Sequence, residues 1–383
     1  MDRMQTKIND VILLLLSFMA IGMFLFNIGK TLLIATNLLF LLLILLNLGS
    51  IRPEYCVLLI INILFGICTL LLNEGVGVVL IFLALFMACL SFNSISFSIK
   101  MRKTVSFICF VGVLTIVVTA SNIYRIYDWL VLIDRHGNLI NNNSLAIFSV
   151  AFCFCSLVWN DLRNGKKWKK LFALVSFTVN FLFTYLTGCR SAMFVLITYF
   201  VLHWLIKTKL SDKSFRRITI AVLLLSLLFP VFYVVLYRVW PDATILGKML
   251  FSGREAIWVE VFDQIKAYPI FGSGTSLESA GFESVHNMLL GIWKNVGVIP
   301  LISLISVYAI KGRVSISRKQ QIMLISILIF AFFESFMMDI RFLLIFSFLM
   351  IGTTEINAIE ENGAIKNDTK KNTLLLVRWK TSQ

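Results

Sequence analysis

Long apolar stretches separated by short polar connections make up nearly the whole chain. Each stretch has roughly 17–22 residues, which is enough for a helix to cross a hydrocarbon core of about 30 Å. Twelve are predicted, at approximately 11–28, 31–48, 55–72, 75–92, 104–120, 145–160, 171–187, 191–206, 217–237, 288–310, 321–337 and 341–356. We therefore predict an all-α polytopic membrane protein, with residues 1–358 as one membrane-embedded domain and 359–383 as a disordered cytoplasmic tail.

Charge distribution orients these predicted spans. The chain is 59% hydrophobic and 14% charged, with a net charge of +15. A basic chain can bind nucleic acid. Here, once the N-terminus is placed inside, 25 of the 35 Lys and Arg residues fall in the N-terminal segment, the inner connections and the C-terminal tail. Short basic loops stay in the cytoplasm. We therefore expect both termini to be cytoplasmic and no nucleic-acid partner.

One predicted outer connection, 238–287, is much longer than the others and is expected to be folded and functional. Within it, Ser252 and Glu255 fit a capping box that begins a helix, and Pro269 ends that helix. Apolar residues recur at helical spacing, at Ile257, Trp258, Val261, Phe262, Ile265 and Tyr268. The pattern predicts an amphipathic helix of about fourteen residues on the outer surface.

Arginine is the prevailing basic residue on the predicted outer side, where positive charge is not expected. The arginines there are Arg125, Arg135, Arg190, Arg238, Arg254 and Arg341, and the lysines are Lys30, Lys248, Lys266 and Lys294. A guanidinium group binds phosphate oxygens through two parallel hydrogen bonds and keeps its charge. The helix N-terminus beside Arg254 adds free backbone N–H donors. A phosphate-bearing lipid substrate would explain this pattern.

Each of the leading candidates also has a structural interpretation. Arg190 lies between two apolar spans and could extend to lipid headgroups, and Arg254 could be a solvated residue of a first helical turn. His286 precedes Asn287 where the long loop re-enters the membrane. It could be a general base, a proton shuttle or a hydrogen-bond donor, or an ordinary interfacial polar residue.

Other polar residues are interpreted as structural first. His203, at the inner end of the eighth predicted span, is expected to be structural. Glu334, Asp339 and Arg341 lie together around the last outer turn, either as an ion pair that orients the bundle or as substrate contacts. The sequence has no P-loop, no Rossmann glycine pattern, no HExxH and no CxxC motif, so no cofactor and no metal are expected.

An ordered set of short motifs between residues 185 and 300 resembles the signature loop of the O-antigen ligase and O-antigen polymerase family, which includes bacterial capsular and exopolysaccharide polymerases. The motifs are the turn Thr187–Ser191, Ser252-Gly253-Arg254, Ile257-Trp258, Pro269-Ile270-Phe271-Gly272-Ser273-Gly274, His286-Asn287 and Gly297. Cys189 stands where serine is more usual in that family, and residues 121–144 match no pattern.

The resemblance implies a membrane-embedded, GT-C-like, inverting and metal-independent glycosyltransferase in the bacterial plasma membrane. Its donor would be an undecaprenyl-diphosphate-linked oligosaccharide on the outer face. Arg190 and Arg254 would hold the diphosphate, and His286 would act on the acceptor hydroxyl as a base or an orienting group. Further candidate substrate-binding residues are Ser252, Gly253, Asn287 and Arg341. Expected partners are the growing polysaccharide, membrane lipids, a flippase and a chain-length regulator.

Two alternatives to a polysaccharide polymerase stay open at this point. An O-antigen-type ligase would use the same chemistry to transfer a lipid-linked glycan to another acceptor. A lipid-linked sugar flippase or transporter also needs about twelve spans with buried charges, although such proteins often show repeated halves. No internal repeat is visible in this sequence, which favours an enzyme over a transporter.

Overall fold

The protein is described here by a computed structural model. It describes residues 3–26, 29–72, 76–95, 169–245, 248–249, 253–274, 285–310 and 318–333, together with parts of 97–108, 122–140 and 146–160. Several predictions lie outside these residues: most of the fifth span, the span 341–356, the tail 359–383, and the residues Ser252, Glu334, Asp339 and Arg341.

Helices dominate the described residues. In chain order they are α1 (Arg3–Phe26), α2 (Gly29–Leu46), α3 (Pro53–Leu72), α4 (Val76–Ser94), α5 (Lys169–Leu186), α6 (Arg190–Leu205), α7 (Asp212–Val239), α8 (Arg254–Ala267), α9 (Met288–Val296), α10 (Val298–Ala309) and α11 (Arg318–Phe330), with a 3₁₀ turn at Leu48–Ser50. The helical class is therefore confirmed, and each of these helices except α8 overlaps a predicted span.

Length and composition identify candidate membrane-crossing helices. Two helices, Pro53–Leu72 and Asp212–Val239, are both long enough and apolar enough to cross a bilayer. Six further apolar helical segments have 10–17 residues, and the predicted span 288–310 is divided at Gly297 into α9 and α10. The number of crossings and the orientation of the termini stay predictions.

The long helices have the inverse of a water-soluble amphipathic pattern. In α7, Thr219 and Ser226 are buried, whereas Leu228 and Phe232 are 60% and 65% exposed. In α3, Asn62 is likewise buried while apolar side chains point outward. Small and polar residues at helix contacts with apolar residues outside are what a lipid environment selects, because small side chains let helices approach closely and lipid solvates the apolar surface.

Short antiparallel strands occur in the two long connections between the helices. Strands β1 (Asn122–Ile126), β2 (Trp129–Ile133) and β3 (Leu139–Ile140) form one sheet in the order β1-β2-β3, with Asn122 opposite Ile133. Strands β4 (Thr244–Ile245) and β5 (Lys248–Met249) form a small hairpin. Aromatic and β-branched residues are concentrated in β1 and β2, and such residues favour strands.

Two apolar cores hold the described helices together. The larger core joins α1–α4, α6, α7, α9, α10 and α11 with buried residues from the 146–160 region. The smaller one surrounds Trp258 and includes Val234 of α7, Val261 of α8 and Leu290 of α9. Because α8 is seated in this second core, it is packed onto the bundle through its apolar face.

The loop that follows α8 is docked against the break between α9 and α10. Ser273 N–H donates to the Lys294 carbonyl at 2.7 Å, and Val298 N–H donates to the Pro269 carbonyl at 3.1 Å. Gly297 has a φ of 91°, and a Cβ added there would lie 1.8 Å from the Ile270 carbonyl oxygen. A side chain at that position would prevent this approach, so the glycine is what lets the loop pass.

Candidate functional site

The N-terminus of α8 places Arg254 at the first helical position. Its cap is Gly253, with a left-handed φ of 82° and no side-chain hydrogen bond to the helix. This corrects the predicted capping box, because the helix begins one residue later than expected and Glu255 stands at the second helical position. The helix has 14 residues, as predicted. The uncapped backbone N–H groups of its first turn favour an anion beside the Arg254 guanidinium.

Arg190 is positioned by a tight turn between two helices. Helix α5 ends at Leu186, Gly188 adopts a φ of 70°, and Cys189 is the N-cap of α6, so Arg190 is the first residue of that helix. Cys189 is 3% exposed and Arg190 is exposed. The turn therefore directs a permanently charged side chain away from the packed interior at a helix N-terminus.

His286 has an unusual backbone conformation. Its φ is 52°, the single positive φ found at a residue other than glycine in the described part of the chain. A left-handed conformation costs a residue with a Cβ about 1–2 kcal/mol. Such a conformation persists where surrounding contacts hold it, and it is concentrated at functional sites.

The neighbours of His286 provide those contacts. On one side, the buried Trp258 donates its Nε1–H to the Val285 carbonyl at 2.7 Å. On the other, Asn287 caps α9 by accepting from Leu290 N–H at 2.9 Å, and its Nδ2 donates to the Ser226 carbonyl at 2.9 Å. The histidine thus lies between two anchored residues, Val285 and Asn287, whose hydrogen bonds connect it to α7, α8 and α9.

Asn287 is a buried cap beside His286. Its side chain is fully buried, and Nδ2 also lies within 3.3 Å of the Phe332 carbonyl. Both the oxygen and the nitrogen of the side-chain amide have hydrogen-bond partners in the protein. The structure therefore gives Asn287 a role in positioning the backbone next to His286, and its predicted substrate contact stays a prediction.

Arg190, Arg254 and His286 meet at one cavity of about 650 Å³. We call it the arginine cavity, and it is lined also by Gly188 and Ser191. No Asp or Glu is among the described residues that line it. Two guanidinium groups and an imidazole therefore share a space with two helix N-termini, and this arrangement suits an anionic ligand.

The apolar side of the arginine cavity was not predicted. It is lined by Phe194, Phe229, Phe232, Tyr233, Leu236 and Phe333. The rings of Phe229 and Tyr233 lie 5.9 and 4.9 Å from that of the buried Trp258, in edge-to-face geometry. Residues 229, 232, 233 and 236 have helical spacing on one face of α7. This spacing could have indicated the aromatic lining of a cavity, whereas the apolar pattern alone predicted only a span.

Among the described residues, Arg238, Lys266 and Lys294 do not line the arginine cavity, and Arg135 lies outside the described residues. Arg238 and Lys266 are exposed, whereas Lys294 is 2% exposed within α9. Arg125 and Lys248 lie on strands β1 and β5. His203 lies at the far end of α6 from Arg190. Ser252 and Arg341 are outside the described residues, so their predicted substrate contacts stay predictions.

The arrangement can bind and stabilise a negatively charged group beside a group able to accept a proton. Within the described residues, no cluster of three or more His, Cys, Asp and Glu side chains is placed to hold a metal ion. Compared with protein families, curated proteins and solved structures, the chain matches none.

Proposed function

We propose that the protein is a multi-pass membrane glycosyltransferase: a polysaccharide polymerase that joins undecaprenyl-diphosphate-linked repeat units on the outer face of the bacterial plasma membrane. The observation that carries the proposal is the convergence of Arg190, Arg254 and His286 on one cavity, although they come from three separate parts of the sequence. The inverse amphipathic pattern of α3 and α7 supports its location in a bilayer.

In the proposed reaction, a hydroxyl of the acceptor glycan attacks the anomeric carbon of the donor sugar from the face opposite the diphosphate. The bond between the anomeric carbon and the diphosphate oxygen breaks, and both its electrons leave with the lipid diphosphate. Arg190 and Arg254 stabilise the charge that develops on this leaving group. His286 orients the attacking hydroxyl or takes its proton.

The two surfaces of the arginine cavity fit the two parts of this donor. Its cationic side suits the diphosphate, and its aromatic side, from Phe229 to Phe333, suits apolar chain or sugar faces. His286 needs a fixed direction to act on one hydroxyl, and its anchors at Val285 and Asn287 supply that direction.

The test is an assay with the purified full chain and lipid-linked repeat units, scored for longer glycan and released lipid diphosphate. We expect Arg190→Ala, Arg254→Ala and His286→Ala each to reduce chain growth by about 100-fold or more, as loss of a group that stabilises charge in a transition state usually does. Membrane insertion and folding should be retained.

Arg238→Ala is the matched control, because Arg238 is an exposed arginine at the end of α7 that does not line the arginine cavity. It should keep near-normal chain growth. Normal growth in Arg254→Ala, or an equal loss in the Arg238 control, would contradict the phosphate-binding assignment.

The product distinguishes the polymerase from its closest alternative. A polymerase yields a ladder of products that differ by one repeat unit, whereas a ligase yields a single transfer to a different acceptor. A single-transfer product that depends on Arg190 and Arg254 would retain the site and replace the polymerase assignment with a ligase.

A further inference from the structure

A second cavity lies at the opposite end of α6 and has no part in the proposed reaction. It encloses about 660 Å³ between α5, α6, α11 and the residues around Asn160. Its lining includes Lys170, His203 and Lys319, together with the apolar side chains of Leu174, Phe177 and Phe200. We call it the lysine cavity.

Two helices begin at the lysine cavity. Lys170 is the second residue of α5 and Lys319 is the second residue of α11. The N-terminus of a helix presents free N–H groups and a partial positive charge. The cavity therefore combines two ammonium groups with two positive helix ends, and both kinds of positive charge favour an anion.

The negative end of α6 would oppose an anion at this place, but it is neutralised. The Arg318 guanidinium donates to the carbonyl oxygens of His203 and of the cap residue Ile206 at the C-terminal end of α6. A cation at a helix C-terminus offsets the helix dipole. The cavity thus keeps its positive character beside a helix end that would otherwise be negative.

Several side chains that line the lysine cavity are apolar and exposed on the protein surface. Leu174 is 63% exposed and Phe200 is 61% exposed, and the neighbouring Trp204 is 67% exposed. Large exposed apolar side chains of this kind face lipid in a membrane protein. A ligand here would therefore place an anionic head at the lysines and an apolar tail along α5 and α6.

The position matches the cytoplasmic leaflet. The connections that flank the cavity, 161–170, 207–217 and 311–319, are the most basic in the predicted topology, and basic connections stay inside. The inner leaflet carries the anionic glycerophospholipids, and basic pockets between helices on that side bind their headgroups.

We propose that the lysine cavity is a binding site for one anionic glycerophospholipid of the inner leaflet. The phosphate is held by Lys170, Lys319 and the first turns of α5 and α11, and an acyl chain lies against Phe177 and Phe200. The site requires a membrane-embedded chain, but it is independent of the chemistry proposed for the arginine cavity.

The test is native mass spectrometry of the purified full chain equilibrated with mixtures of phosphatidylglycerol and phosphatidylcholine. Wild-type protein should retain phosphatidylglycerol with a preference of about tenfold or more, since each nearby lysine strengthens binding of an anionic headgroup severalfold. The double variant Lys170→Gln/Lys319→Gln should lose most of this preference, whereas Lys170→Arg/Lys319→Arg should keep it.

The control is Lys207→Gln/Lys209→Gln, which removes the same charge from the same end of the bundle. Lys207 lies over the Trp204 ring at 5.2 Å, and Lys209 is 4.0 Å from Asp212. This variant should keep the preference for phosphatidylglycerol. An equal loss in the control would overturn the proposal in favour of general surface charge, and an unchanged preference in the Lys170/Lys319 variant would overturn it outright.

Two additional arms locate the ligand and identify its source. A phosphatidylglycerol that carries a photoreactive acyl chain should label peptides of α5 or α6, and labelling confined to other helices would contradict the proposal. Preferential displacement of phosphatidylglycerol by polyprenyl phosphate would assign the cavity to the carrier lipid instead. If the double glutamine variant does not fold, the single variants Lys170→Gln and Lys319→Gln carry the same test, each with a smaller loss.

Discussion

The arginine cavity and the lysine cavity have almost the same volume, about 650 and 660 Å³, yet they are built in different ways. They lie near opposite ends of α6, since Arg190 and His203 are thirteen residues apart, or about 20 Å along a helix. In the first, two arginines at helix starts stand beside a histidine with a left-handed backbone. In the second, two lysines stand at the exposed starts of helices.

The difference lies in how rigidly the polar side chains of each cavity are held. His286 has a left-handed backbone secured by Trp258 and Asn287, and preorganisation of this kind serves chemistry at a defined atom. Lys170 and Lys319 are exposed, with flexible stems, and a point charge on a flexible stem tolerates many ligand positions. A rigid site and an adaptable site of equal size therefore suit a reaction and a lipid headgroup, respectively.

The largest expected effect tests the backbone packing on which the rigid site depends. Gly297→Ala would place a Cβ 1.8 Å from the Ile270 carbonyl oxygen at a φ of 91°. We expect it to destabilise the protein by about 3 kcal/mol or more, because strain and overpacking act together. The measurement is the thermal unfolding midpoint of the detergent-solubilised protein.

Gly77→Ala serves as its control, since a Cβ at that helical position has no atom within 4 Å. It should leave the midpoint unchanged or raise it slightly. Similar midpoints for the two variants would mean that the loop after α8 does not pass as closely to Gly297 as described.

A comparison of two helix caps tests whether the two ends of the bundle differ in rigidity. The buried Asn287 caps α9 and also donates to carbonyls of α7 and of Phe332, whereas Ser211 is an exposed cap of α7 that accepts from Ser214 N–H. Asn287→Ala should lower the free energy of unfolding by about 2–3 kcal/mol, because α9 loses its cap and the carbonyls that Asn287 contacts lose a partner. Ser211→Ala should cost about 1 kcal/mol or less.

Asn287→Ala and Ser211→Ala are compared by thermal unfolding and by the glycan assay. Asn287→Ala should lower chain growth even at temperatures where it is folded, because His286 loses an anchor. Ser211→Ala should leave chain growth unchanged. Equal effects of the two substitutions on both measurements would remove the distinction between the cavities.

The smallest expected effect separates the strain at His286 from its chemistry. Glycine adopts a φ of 52° without steric cost, whereas alanine does not. His286→Gly should therefore be more stable than His286→Ala by about 1 kcal/mol, while both variants lack chain growth. A midpoint for the glycine variant below that of the alanine variant would contradict the left-handed conformation.

Much of the helical fold was predictable because helices follow local apolar periodicity. The spans at 55–72, 171–187 and 191–206 correspond closely to α3, α5 and α6. Boundaries were less accurate where a turn depends on one residue. Helix α8 begins at Arg254 and is capped by Gly253, because that glycine accepts a left-handed conformation that the capping-box pattern does not take into account.

The long connection 238–287 illustrates what the sequence alone determined. Its composition specified an amphipathic helix of about fourteen residues and singled out Arg254 and His286 as charged or titratable groups, since both inferences depend only on neighbouring residues. The placement of Arg190 beside them was not determined in this way, because nearly a hundred residues separate it from His286.

Only the tertiary structure decided which of these groups share a cavity and which are supports. It brought Arg190, Arg254 and His286 together, assigned Asn287 to a buried cap, and placed Lys294 in the interior. It also showed that Gly297 allows a loop to cross a broken helix. These outcomes depend on close contacts between distant segments, and the apolar pattern of a chain specifies which faces are buried but not which partners cover them.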